Sequence, residues 1–106
     1  MSIIDDSIRF VAKINFFEET TMIKFGWSGM MIPMQIDQSL ITCKITLGDE
    51  GTVFEKGIEH EVKILLPGIT KSDLESNGQM LFPGYEFLFR NGKVVFGKGE
   101  VIRILE

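Results

Sequence analysis

The stretch GKVVFGKG, Gly92 to Gly99, nearly spells a phosphate-gripping loop of the form G-x-x-x-x-G-K-[ST]. Both glycines and Lys98 fall at the required spacing, and Gly99 stands where a Mg²⁺-binding hydroxyl belongs. Such a loop aims backbone N–H groups, from a glycine turn and a helix N-terminus, at the phosphates. Here the intervening Lys93, Val94, Val95 and Phe96 favour extended backbone, and Glu100–Leu105 (EVIRIL) alternates like a strand. The hydroxyl, the flexible turn and the helix all fail together, so no nucleotide is expected here. The better reading is structural: Asn91-Gly92 as a hairpin turn, with Gly97 and Gly99 permitting a bend or bulge in one strand.

Other groups able to do chemistry stand isolated. His60 is the one histidine and Cys43 the one cysteine, so neither has the partners that a metal site or a nucleophile–base pair needs. His60 aligns with Val62 and Ile64 and is expected to be a satisfied strand histidine; Cys43 is expected to be inert core packing. The carboxylate pairs Asp5-Asp6, Glu18-Glu19 and Asp49-Glu50 fall in termini and turns, without the context of an acid/base pair. We expect no enzyme, no cofactor and no metal.

These residues are set on a pattern of period two. In Ile8–Phe17, Ile8, Phe10, Ala12, Ile14 and Phe16 share one side. Met30–Ile36, Leu40–Leu47 and His60–Leu66 repeat the alternation, and Pro33 predicts that Met30–Ile36 is an edge or bulged strand. Tyr85–Arg90 and Lys93–Leu105 complete the set around the Asn91-Gly92 turn. Gly48–Gly51, Lys56-Gly57, Pro67-Gly68 and Pro83-Gly84 punctuate it. Only Ser72–Asn77 looks helical, with a Ser cap and Gly78 at the stop. The pattern predicts an all-β single domain over residues 1–106, a small closed or nearly closed antiparallel barrel of six or seven strands.

Composition narrows the partners. The chain has 106 residues, a formal net charge of −4 and a 44% hydrophobic content that includes nine Phe. An acidic surface counts against general nucleic-acid binding, and no apolar run is long enough to suggest a membrane partner. Acids in MSIIDDSIRF, where a secretory leader carries bases, and the lone Cys43 set an expectation of the cytoplasm.

The segment FLFRNGKVVFGKGEVIRIL (Phe87–Leu105) resembles the end of the C-terminal β-barrel of translation elongation factor Tu. Arg90 matches the family Arg, Asn91-Gly92 the acidic-Gly turn, and Gly97 and Gly99 its G-x-G strand. Upstream, Ile8–Phe17 looks like that barrel's opening strand, Gly26-Trp27 stands at the family Gly-Tyr, and Thr52–Leu66 is similar to a turn-and-strand segment. Ser28-Gly29-Met30 stands where the family has Arg-Pro-Gln. Neither the family's GTPase domain nor its middle barrel is found in the sequence, so the resemblance implies neither GTP hydrolysis nor aminoacyl-tRNA delivery. It does imply a barrel that contacts the T-stem of tRNA and a protein exchange factor.

Two partner surfaces are therefore expected. The first is a protein-binding patch at Trp27, Met30, Met31 and Met34, since Met-rich apolar surface is adaptable; its partner would be translation-related or toxin-related. The alternative is tRNA or RNA contact through Arg90, Asn91, Gly92 and Lys93, with Lys98 and Arg103 on the same hairpin. A solvated strand face is the plainer reading of those bases.

Overall fold

A computed structural model describes residues 6–105. Its elements are β1 (Ile8–Phe16), β2 (Gly26–Trp27), β3 (Met31–Ile36), β4 (Ser39–Thr46), β5 (Val53–Phe54) and β6 (His60–Leu66), then α1 (Lys71–Ser76), β7 (Glu86–Asn91) and β8 (Val94–Leu105). Six strands close an antiparallel barrel in the order β1-β6-β4-β3-β7-β8, with β8 pairing back onto β1. Closure removes the exposed edges that an open sheet of this size would carry. β2 and β5 form a separate two-stranded ribbon. No helix among the described residues is long and apolar enough to cross a membrane.

The period-two pattern becomes the barrel interior. Phe10, Ala12, Ile14 and Phe16 of β1, Met34 and Ile36 of β3, Cys43 and Ile45 of β4, and Val62, Ile64 and Leu66 of β6 are all buried in one cluster. Six phenylalanines, Phe10, Phe16, Phe54, Phe87, Phe89 and Phe96, supply its bulk. Their rings run in a chain: Phe10 meets Phe87 at 6.1 Å, Phe87 meets Phe89 at 5.5 Å, Phe89 meets Phe16 at 5.1 Å, and Phe16 meets Phe54 at 5.8 Å. Edge-on and offset aromatic contacts at such distances add to plain area burial.

Gly97 and Gly99 make room for these rings. Gly99 pairs across the ladder with Phe87, and Gly97 with Phe89. A Cβ on Gly99 would sit 2.3 Å from Phe87 Cζ, and one on Gly97 would sit 2.8 Å from Phe16 Cδ1. Neither glycine takes a positive φ, so space for the facing ring, rather than backbone curvature, demands them. The expected bulge is present, but on Phe96. Phe89 pairs with Gly97 while Arg90 pairs with Val95, which leaves Phe96 extra and turns it inward. A second bulge at Ile102 follows from the shift between Val11–Arg103 and Ala12–Val101. Together the bulges bend the long strand β8 around the barrel.

Three local expectations are corrected. The β7–β8 turn is Gly92-Lys93, because Asn91 stays in the strand paired with Val94 and only Gly92 takes a positive φ, of 60°. β3 is no edge strand, since it pairs with β4 along its length and with β7 at Met34 and Gln35. Its β7 register starts just after Pro33, so the residue without an N–H has a partner strand on one side only. The helix cap is Thr70 rather than Ser72: Asp73 N–H donates to Thr70 Oγ1 at 3.2 Å, and Thr70 N–H donates to Asp73 Oδ2 at 2.8 Å. This reciprocal box holds Asp73 below the usual carboxylate range, through the backbone bond first.

Candidate functional site

The β2–β5 ribbon divides its four residues cleanly between two faces. Gly26 pairs with Phe54 and Trp27 with Val53. Gly26 and Phe54 are buried, whereas Trp27 is 43% and Val53 58% exposed. Phe54 fills the space that a side chain on Gly26 would need, stacks on Phe16 and meets the His60 ring at 5.0 Å. The inner face is thus a continuation of the aromatic core. The outer face presents Trp27 beside Val53, with Phe25, 44% exposed, edge-on to the indole at 6.4 Å. Met22, also exposed, precedes them in the same loop.

The segment Ser28-Gly29-Met30 anchors this ribbon to the barrel. Ser28 N–H donates to the Thr52 carbonyl at 2.8 Å, and Gly51 N–H donates to the Ser28 carbonyl at 2.9 Å. The buried Ser28 hydroxyl accepts from Leu47 N–H at 2.9 Å. Gly29 N–H donates to Ile45 O at 2.6 Å, and Ile45 N–H donates to Met30 O at 3.0 Å. Gly29 holds a φ of 101°, which a residue with a side chain rarely adopts. These bonds tie the loop to β4, to Leu47 just beyond it and to β5's approach, so Trp27 is displayed from a fixed support.

The expected apolar patch splits accordingly. Met30 and Met34 are 1% and 0% exposed and belong to the core, where they cannot meet a partner. Alternation turns Met34 inward with Ile32 and Ile36, and Met30 lies beneath the loop, its Sδ 3.5 Å from Trp27 N–H. Trp27 and Met31 remain at the surface. Phe25 and Val53 were not among the expected residues. Phe25 lies in a loop without periodicity, and β5 is too short to show alternation.

The residues of the basic hairpin differ in their surroundings. Asn91, Gly92 and Lys93 are exposed at the turn, but Arg90 is half-buried, with its Nε enclosed and unbonded. Lys98 instead lines a cleft of about 480 Å³ with Lys13, Glu59, Glu86 and Glu100. Three acids and two bases mix there, with Glu86 opposite Glu100 across the ladder and Lys13 reaching Glu59 at 3.9 Å.

Cys43 is fully buried, and burial pushes its thiol up to about 12 against a weaker opposing hydrogen bond from the Ile32 backbone. His60 is half-buried, with Nε2 3.0 Å from the Glu55 carbonyl. Among the described residues, no three His, Cys, Asp or Glu side chains stand together as metal ligands. The fold and the site define a small closed β-barrel that carries an aromatic ribbon. Comparison with protein-family models and with curated proteins finds no match for the chain.

Proposed function

We propose that the chain is a non-catalytic binding module that docks a protein partner on the outer face of the β2–β5 ribbon. One observation carries this reading. Trp27 and Val53 pair directly and stand exposed, while Gly26 and Phe54, behind them, are packed into the core. An exposed tryptophan on a rigid support is the kind of residue on which binding hot spots are built, and Val53 and Phe25 extend the apolar surface around it. The support lowers the ordering cost of association, because the loop is already pinned to β4. The closed antiparallel barrel is a scaffold of the type that the resemblance to elongation factor Tu implies. That resemblance favours a translation-related partner, or a toxin that exploits one, met in the cytoplasm.

The test is an affinity capture run in parallel with the intact chain and with a Trp27→Ser/Val53→Ser variant. The reading predicts a protein retained by the first and lost by the second. Retention of RNA alone, by both, would turn the assignment to the β7–β8 hairpin instead.

A further inference from the structure

Charge is distributed unevenly about the ribbon. The two loops that carry it, residues 17–29 and 47–59, hold Glu18, Glu19, Asp49, Glu50, Glu55 and Glu59 against Lys24 and Lys56. Acids and bases balance over the rest of the sequence, so the formal net charge of −4 belongs to this end. All six carboxylates are on exposed residues. Lys56 is engaged, its Nζ donating to the Thr20 carbonyl at 2.7 Å. Glu59 faces Lys13 at 3.9 Å across solvent, which neutralises little of it.

The two loops meet, Ser28 bonding Thr52 and Gly51 bonding Ser28, so most of these acids gather at the end of the barrel that carries the apolar face. A Cβ on Gly29, two residues from Trp27, would lie 3.4 Å from Glu50 Cγ. Glu18 packs against Gly57, where an added Cβ would lie 3.0 Å from Glu18 Cβ. Glu55 directly follows Phe54 of the ribbon. An apolar centre with a predominantly acidic surround, in which the exposed Lys24 is the exception, selects a basic partner, chiefly by steering it in and by rejecting acidic competitors. The rings favour the same sign, because an exposed indole or phenyl face attracts an ammonium or guanidinium group.

Resting on the docking reading above, we infer that the partner is a polypeptide segment carrying Lys or Arg on both sides of an apolar anchor. The anchor meets Trp27, Phe25 and Val53, and the flanking cations meet Glu18, Glu50 and their neighbours. A neutral apolar segment gains only the first set of contacts, and an acidic segment is repelled.

Trp27 is the one tryptophan, so its emission reports the site directly. The full chain is titrated with three synthetic peptides that share a Leu-Phe centre and differ only in flanking Lys, Ser or Glu. The Lys peptide is expected to shift the emission, with an affinity that falls as salt rises. A Glu18→Gln/Glu50→Gln variant should bind it about fivefold more weakly. Equal binding of the Ser peptide would overturn the cationic partner and leave the docking face standing. No shift with any of the three would overturn both.

Discussion

Phe87 on β7 and Gly99 on β8 face each other across the ladder, and the tip of the phenyl ring occupies the place of a Gly99 side chain. The ring belongs to the chain of phenylalanines that fills the barrel, so a Cβ at position 99 would push on the whole row. Gly99→Ala is expected to cost about 1–3 kcal/mol, the usual range for overpacking a filled core. Urea unfolding measures it. Adding Phe87→Leu to Gly99→Ala should recover part of the loss, since the shorter side chain withdraws from the clash. If Gly99→Ala is neutral, the ring is not held there.

The β7–β8 turn makes a prediction that separates two adjacent residues. Gly92 takes a φ of 60°, whereas Asn91 stays in the strand. Gly92→Ala should therefore destabilise by roughly 1 kcal/mol, and Asn91→Ala by a few tenths at most. A larger loss at Asn91 would restore the Asn-Gly turn expected from sequence.

Burial separates Met30 from Trp27 in the same way. Met30→Ala should cost about 2–5 kcal/mol, as truncation of a buried Met does, and Trp27→Ala much less. Paired thermal and urea melts of the two variants check this. The order reverses if the ribbon's outer face is really covered within the monomer.

Cys43 supplies a pH prediction. Its thiol is raised from about 9 to about 12 by burial, so folding favours the protonated form. The sign follows: this contribution is complete below the unfolded value near 9 and is lost as pH climbs toward 12. Stability should fall across that window, and Cys43→Ala should flatten the fall. At pH 8 a thiol reagent should leave the native chain untouched and label it only after denaturation.

Much of the barrel was legible in the sequence, because half-buried strands print their two faces as alternation. β1, β4 and β6 appear in that pattern nearly to their ends, and the Pro-Gly turns fall between elements. What stayed hidden depends on contacts between strands. Gly97 and Gly99 stand out in the sequence, but only the register shows that Phe87 and Phe89 lie opposite them. Thr70 and Asp73 cap α1 jointly, which the more obvious Ser72 obscured. At the candidate site, Trp27 was visible as an unusual loop aromatic, whereas its neighbour Val53 arrives from 26 positions further along the chain. A two-residue strand carries no period, so pairing alone reveals that face.

The central claim is that the outer face of the ribbon meets a protein. A photo-reactive benzoylphenylalanine placed at position 27 in one preparation, and at position 93 in another, probes it directly in cells. A covalent protein adduct is expected from position 27 and none from position 93. An adduct from position 93 alone, to RNA or to protein, would contradict it.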